Sequence, residues 1–332
     1  MDCYKLPKVE LHLHLDCSLS YSVVSRLNPA ITHAEYLESF NSPAGAPSLG
    51  EILSYARREI ELMQTEESLR LVTLDLFEQL LRDNIVYAEI RFAPLLHTEK
   101  GLSAGDVVSI VDAAIQTASQ KTGIEARLLL CTLRSHSEAQ SLETVKLAER
   151  FKGTSVVGLD IAGDEVGFPI DAHITAFQYA RAHNIPCTAH AGEARGAESV
   201  WETLQHFNPD RIGHGWRSIE DPALLEHLRQ HQIHLEVCPT SNVHVYHQVC
   251  KTYSDHPVDN IYDAGISMSV NSDTRTLVAA TLTEEYEKMH RAFDWDKDHF
   301  LQCNLNALNA AFIPEPVKQQ LIDRLVEAYR TL

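Results

Sequence analysis

Residues 9–16 are Val9-Glu10-Leu11-His12-Leu13-His14-Leu15-Asp16, in which hydrophobic and polar residues largely alternate. A period of two is typical of a β-strand, because successive side chains point to opposite faces. The two histidines therefore lie on one face of this predicted strand, and the leucines lie on the other. The histidines also stand near its carboxyl end, which is where the active sites of parallel barrels lie.

Strand-like segments recur along the chain, and helical patterns separate them. Apolar, β-branched segments predict strands at 9–14, 86–92, 126–132, 156–161, 185–190, 210–213, 233–237 and 267–271. Amphipathic stretches predict helices at 66–82, 104–120, 141–151, 171–183, 197–206 and 221–230. Eight strands, each followed by a helix, predict an α/β fold of the (β/α)₈ TIM barrel type. An open doubly wound sheet shares the alternation, but it would not usually reach eight strands with so many polar ends.

Two regions add helices to the regular alternation of strands and helices. Residues 17–65 are longer than a normal crossover, and Leu49, Ile52 and Leu53 share the apolar face of a predicted helix. This helical insertion either packs on the barrel or forms a lid over the strand ends. Further helices are expected after the eighth strand, at 283–292, 297–312 and 315–331. Because no linker-like tract interrupts the series, we expect residues 1–332 to form a single domain.

The composition limits the functional classes. The chain has 332 residues and a formal net charge of -18, so we expect no nucleic-acid partner. The net charge alone does not exclude a local basic groove. Its seven cysteines include no Cys-x-x-Cys pair, which argues against a disulfide framework and against a thiolate zinc site. No apolar run approaches the roughly 20 residues that span a bilayer, so no membrane contact is expected. Without a secretion signal at the start, a cytoplasmic location is expected.

Four predicted strands end in side chains that bind metals or transfer protons. Strands one, five, six and eight supply, in turn, His12 and His14; His190 and Glu193; His214; and Asp273. Glycines flank His214 on both sides, as though side chains there would obstruct a neighbour. Each of these residues alone is more often a core or solvated residue, but the four strand ends meet at one rim. Imidazole and carboxylate donors without thiolates suit a catalytic zinc ion with an open coordination position.

The remaining histidines are interpreted differently. Most fall in predicted helices or loops, and we expect them at the surface: His33, His97, His206, His227, His231 and His299.

Five motifs resemble, in order and spacing, the successive motifs of the adenosine deaminase family. They are residues 11–16, 160–165, 190–193, 211–215 and 271–273. The resemblance extends from residue 7 to about residue 330. It implies a zinc-dependent hydrolase with one zinc ion per chain and a small purine nucleoside as substrate. The implied reaction converts adenosine and 2′-deoxyadenosine to inosine and 2′-deoxyinosine, with release of ammonia.

The resemblance also implies a role for individual residues. It implies that zinc is bound by His12, His14, His190 and Asp273. It implies that Glu193 donates a proton to purine N1 and that His214 lies beside the attacking water. Asp16 would hold the ribose 5′-hydroxyl, the backbone N–H of Gly163 would contact purine N3, and Leu49, Ile52 and Leu53 would form an apolar lid.

Two positions depart from the family pattern, which leaves the exact substrate open. Cys17 stands where the family usually has glycine, and Thr274 stands where it usually has a second aspartate that contacts purine N7. The alternative substrates are adenine, aminodeoxyfutalosine and an N6-substituted adenylate, although Asp16 favours a free 5′-hydroxyl over a phosphate. A two-metal hydrolase of the wider superfamily would need a bridging lysine on the fourth strand, which residues 159–162 lack. An inactive binding protein is disfavoured by the complete set of ligands and acid. The oligomeric state is left open.

Overall fold

Eight parallel strands form the centre of the protein. The computed structural model describes residues 1–45 and 48–332. Strands β1 to β8 are Lys8–His14, Ile85–Phe92, Glu125–Leu133, Val156–Ala162, Thr188–Ala191, Arg211–His214, His234–Val237 and Met268–Val270. They pair in chain order as two four-stranded parallel sheets. Two bridges, Leu13 with Asp273 and Leu159 with Cys187, join the sheets into a closed ring. The predicted (β/α)₈ barrel is confirmed.

The fifth strand is the one whose bounds differ most from the sequence prediction. It was expected at 185–190 and begins only at Thr188. Pro186 explains the difference, since proline has no N–H to contribute to a strand ladder. Its carbonyl still accepts from the Leu159 N–H at 3.0 Å, and this contact helps to close the barrel.

Fourteen helices surround the strands in the described part of the chain. In chain order α1 to α14 are Tyr21–Leu27, His33–Phe40, Leu49–Leu62, Glu66–Arg82, Ala104–Thr122, Glu138–Arg150, Ile174–Ala182, Ala197–His206, Pro222–His231, Pro239–Val245, Val258–Asp263, Leu282–Phe293, Lys297–Ala310 and Glu315–Thr331. Side-chain caps fix several starts: the Ser103 hydroxyl accepts from the Asp106 N–H at 3.1 Å at the head of α5. None of these helices combines the length and the apolar character that a bilayer span requires.

The insertion after β1 contains α1, α2 and α3. The apolar face of α3 does not join the main hydrophobic core between strands and helices. Leu49, Ile52 and Ala56 instead pack with Cys17 and Leu277 in a separate small cluster above the barrel. The contacts of α3 are therefore concentrated at the carboxyl ends of the strands, which is where a cover over a site would lie.

Candidate active site

The four predicted metal ligands lie together at the rim of the barrel. One donor atom from each of His12, His14, His190 and Asp273 falls within 4.8 Å of the others, and all four residues are buried. Asp273 Oδ1 lies 3.4 Å from His12 Nε2 and 3.5 Å from His14 Nε2. His12 Nε2 has no hydrogen-bond partner among the described residues. Converging imidazole and carboxylate donors, with a buried nitrogen left unpaired, fit a metal ion.

Carboxylates behind the histidines orient their rings. His12 Nδ1–H donates to Glu236 at 2.9 Å, and His190 Nδ1–H donates to Asp160 at 3.2 Å. Each ring therefore keeps an Nε2 lone pair that faces the centre of the group. Arg91 joins the two carboxylates, since its guanidinium lies 2.9 Å from Asp160 and 2.7 Å from Glu236. Burial alone would raise the pKa of Glu236, but the neighbouring arginines outweigh it and hold that pKa well below its usual range.

The backbone at the end of β6 and after β8 allows the candidate ligands to pack closely. A Cβ at Gly213 would lie 3.0 Å from His12 Cε1 and 3.3 Å from His190 Cα, so a side chain there would displace these two candidate ligands. The expectation that the glycines beside His214 avoid an obstruction is therefore confirmed at Gly213. His214 and Asp273 have φ of 59° and 62°, the left-handed region that residues with a side chain rarely adopt. These turns point both side chains at the site.

Glu193 is a buried carboxyl group at the same rim. Burial raises its pKa well above the usual range, and the negative charges of Asp273 and Glu165 add to the effect. Both effects favour the protonated form of this carboxyl group. Its Oε2 lies 3.7 Å from His214 Nε2. A carboxyl group whose protonated form is favoured thus lies beside the candidate metal ligands, an arrangement that suits general-acid catalysis.

Glu165 holds the turn that carries Glu193, a role that the sequence pattern did not reveal. Its carboxylate accepts four consecutive backbone N–H groups, from residues 192 to 195, at 2.6–3.1 Å. It also accepts from the Ser199 hydroxyl. A single anion therefore fixes the whole turn, and Gly192 with φ of 62° completes it.

A cavity of about 440 Å³ opens beside these groups and borders all but one of the predicted site residues. His12 is the exception: it is fully buried and does not border the cavity, and its Nε2 lies 3.4 Å from Asp273 Oδ1. The polar wall includes Asp16, Gly163, Glu193, His214 and Thr274, and the apolar side is formed by Leu49, Ile52 and Leu53. Cys17 also borders the cavity. The volume is in the usual range for a small-molecule site.

Asp16 lies beside a histidine that was expected at the surface. Its Oδ2 accepts from the Ala93 N–H at 3.0 Å and lies 3.7 Å from His97 Nε2. The expectation for His97 was wrong: the residue is fully buried, and its Nδ1–H donates to the Met63 carbonyl at 3.1 Å. The short turn Pro94–His97 after β2 brings the ring under the rim. Burial opposes ionisation of Asp16, but His97 and the Ala93 N–H outweigh it and lower its pKa.

An eight-stranded parallel barrel with this group of candidate ligands and a buried carboxyl group at its rim is typical of a metal-dependent hydrolase. Comparison with known proteins gives the particular family. The protein-family model described as adenosine deaminase matches residues 7–328 of this chain. The chain belongs to the adenosine deaminase family.

Three relatives illustrate the range of the family. The adenosine deaminase of Clostridium acetobutylicum is 35% identical over 327 residues, which cover 96% of this chain and 97% of the relative. An adenine deaminase from Arthrobacter aurescens superimposes with a TM-score of 0.88 at 25% identity, covering 97% of this chain and 98% of that one. An N6-mAMP deaminase of Arabidopsis superimposes with a TM-score of 0.87 at 25% identity, covering 98% and 99%. The family is thus established, while the named substrates of the relatives differ.

Proposed function

We propose that this enzyme hydrolyses adenosine and 2′-deoxyadenosine to inosine and 2′-deoxyinosine, with release of ammonia. The observation that carries the proposal is the position of the buried Glu193 carboxyl, whose pKa is raised, beside the candidate ligands His12, His14, His190 and Asp273 at the rim of one cavity. The relative from Clostridium acetobutylicum, with the highest identity among the three, is an adenosine deaminase, which supports the same substrate.

We propose that one zinc ion per chain is bound by His12, His14, His190 and Asp273. When bound, zinc lowers the pKa of water to about 7 and so supplies a nucleophile at neutral pH. A second group of possible ligands, His12, His214, Cys238 and Asp273, shares two members with the first. Burial raises the pKa of the Cys238 thiol well above its usual range, and its proton is donated to the Glu236 carbonyl at 3.4 Å. A single occupied position is therefore favoured.

Two side chains would act on the substrate itself. Attack at purine C6 pushes electron density into the ring, and Glu193 accommodates it by giving its proton to N1. His214 lies at the edge of the same space and either orients the attacking oxygen or accepts its proton. The Gly163 N–H is assigned to purine N3, in a cavity wall where its φ of 101° requires glycine.

The remaining assignments concern the cover and the surroundings of the site. We propose that residues 1–332 form one domain and that 17–65 is a helical lid, with Leu49, Ile52 and Leu53 over the base. A cytoplasmic location is proposed because all seven cysteines are buried and unpaired, which suits a reducing compartment. The net charge of -18 disfavours nucleic acid as a partner.

The substrate is tested by ammonia release from adenosine, 2′-deoxyadenosine, adenine, adenylate, N6-methyladenylate and aminodeoxyfutalosine. We expect the highest kcat/KM with the two nucleosides. A preference for adenine or for a nucleotide would overturn the proposed substrate and leave the deaminase class intact.

Replacing Asp16 with alanine should reduce activity on adenosine far more than activity on adenine. Adenine has no ribose, so the loss of the carboxylate removes a contact only from the nucleoside. A hydrogen bond to a charged group contributes roughly 1.5–3 kcal/mol, which corresponds to about 10–150-fold in kcat/KM. Steady-state kinetics with both substrates measure the difference. Equal losses would mean that Asp16 supports the rim of the barrel and not the sugar.

Replacing Thr274 with valine should weaken transition-state binding by roughly 1–3 kcal/mol, because a buried acceptor, purine N7, would face a methyl group. Thr274 borders the cavity directly after Asp273, and its hydroxyl can donate without first binding a proton as a carboxylate must. The matched control is 7-deazaadenosine, whose ring has no N7, so the loss should largely disappear with it. If both substrates slow by the same factor, Thr274 does not contact N7.

A further inference from the structure

A chain of three hydrogen bonds leads from His214 to a backbone amide on the far side of the site. The Asn242 amide nitrogen lies 3.2 Å from His214 Nδ1, and its oxygen lies 3.2 Å from His256 Nε2. The Val258 N–H donates to His256 Nδ1 at 3.1 Å. Asn242 is 0% exposed, and both histidines are 1% exposed. His214 lies on β6 and Asn242 lies on α10, whereas His256 lies in the turn just before α11, which begins at Val258.

The Val258 N–H, at the end of this series of hydrogen bonds, determines which group donates and which accepts in each of them. A backbone N–H can only donate, so His256 Nδ1 must accept. The proton of a neutral His256 ring is then on Nε2, and it is donated to the Asn242 oxygen. Burial lowers the pKa of His256 to about 3, which keeps the ring neutral. The Asn242 amide must therefore turn its NH₂ group toward His214.

The same reasoning excludes the opposite orientation of the amide. A flipped Asn242 would place its NH₂ group against the Nε2–H of His256, and two buried donors would face each other. With the amide oriented as described, His214 Nδ1 accepts and its ring proton is on Nε2. His214 borders the cavity, and this nitrogen lies 3.7 Å from Glu193 Oε2.

We propose that Asn242 and His256 hold His214 in its Nε2–H form, so that His214 donates a hydrogen bond to the attacking oxygen instead of accepting its proton. The proposal rests on the proposed deaminase function and chooses between the two roles left open for His214. Asn242 and His256 are positioning residues, since they act only through the His214 ring. A second-sphere partner that selects the protonated nitrogen of a catalytic histidine has large effects on rate in other hydrolases.

The kinetic test replaces Asn242 with aspartate. This change keeps the shape but presents an acceptor to His214 Nδ1, which favours a proton on the wrong nitrogen. We expect kcat to fall about 10- to 100-fold with little change in KM, as for loss of a hydrogen bond to a developing charge. Asn260→Asp makes the same chemical change at an exposed position of α11 and should behave like the wild-type protein. Unchanged kcat in Asn242→Asp would overturn the proposal.

Two variants of His256 separate the hydrogen bond from packing. His256 stacks on Trp216 with ring centroids 5.4 Å apart. His256→Phe keeps an aromatic ring but removes the donor, whereas His256→Gln keeps a donor that can reach the Asn242 oxygen. We expect a lower kcat for His256→Phe and a kcat near wild type for His256→Gln. A greater loss in His256→Gln than in His256→Phe would assign His256 to packing and overturn the relay.

A spectroscopic measurement tests the relay without turnover. In protein labelled with ¹⁵N-histidine, the His214 signals are identified by their absence from His214→Gln. The ¹⁵N shifts should show a proton on Nε2 of His214 in the wild-type enzyme and a proton on Nδ1 in Asn242→Asp. A wild-type protein with the proton on Nδ1 would overturn the inference even if every variant folded poorly. Because no substrate is present, this result is independent of the ammonia assay, which tests the proposed function.

Discussion

Glu193→Gln is expected to lower kcat by about 10²–10⁴-fold, the usual contribution of a general acid, while the metal stays bound. Glutamine has the same shape as the protonated acid but cannot transfer a proton to purine N1. The turn should survive the change, because Glu165 holds it through backbone N–H groups and not through the Glu193 side chain. The loss should therefore appear in kcat and not in the fold.

The measurement is steady-state ammonia release with metal content determined on the same sample. Glu78→Gln is a matched control, since it makes the same change at an exposed residue of α4, outside the proposed lid. If Glu193→Gln keeps more than about a tenth of the wild-type kcat, a general acid's usual contribution is missing and the assigned role is wrong.

Removal of the metal is expected to abolish turnover, and one equivalent of zinc per chain should restore it. Four buried donors would lose the ion that joins them, and the site would lose its source of nucleophile at neutral pH. The melting temperature should fall as well, because an ion that binds only the folded state stabilises it. Elemental analysis and thermal melts before and after chelation measure both effects. Two tightly bound ions per chain, each required for turnover, would refute the single-site proposal.

The sequence alone was sufficient to bring together the residues that lie on the strands or directly after them. The period of two in residues 9–16 placed His12 and His14 on one face, and the barrel rule then brought His190 and Asp273 to the same rim. The bounds of β5 shifted because the pattern was extended through Pro186, which has no N–H for the ladder.

The residues that were missed depend on contacts between distant elements. Asn242 meets His214 and His256 across 28 and 14 residues of sequence, and no periodic pattern records such pairs. The sequence nevertheless contained a signal for Asn242, because residues 239–242 follow the end of β7 and therefore lie at the same rim of the barrel as the candidate ligands. His97 was misplaced for a similar reason, since only the turn after β2 brings it under Asp16.

The left-handed backbone at His214 and Asp273 has a consequence for the evolution and engineering of this enzyme. Each such conformation costs on the order of 1–3 kcal/mol in a residue that carries a side chain, and glycine would relieve it. At Asp273 the proposed metal ion would offset this cost, because it stabilises the folded state. At His214, which is not a proposed metal ligand, selection for thermal resistance alone would tend to remove a side chain on which the proposed reaction depends, so backbone strain and activity are opposed there.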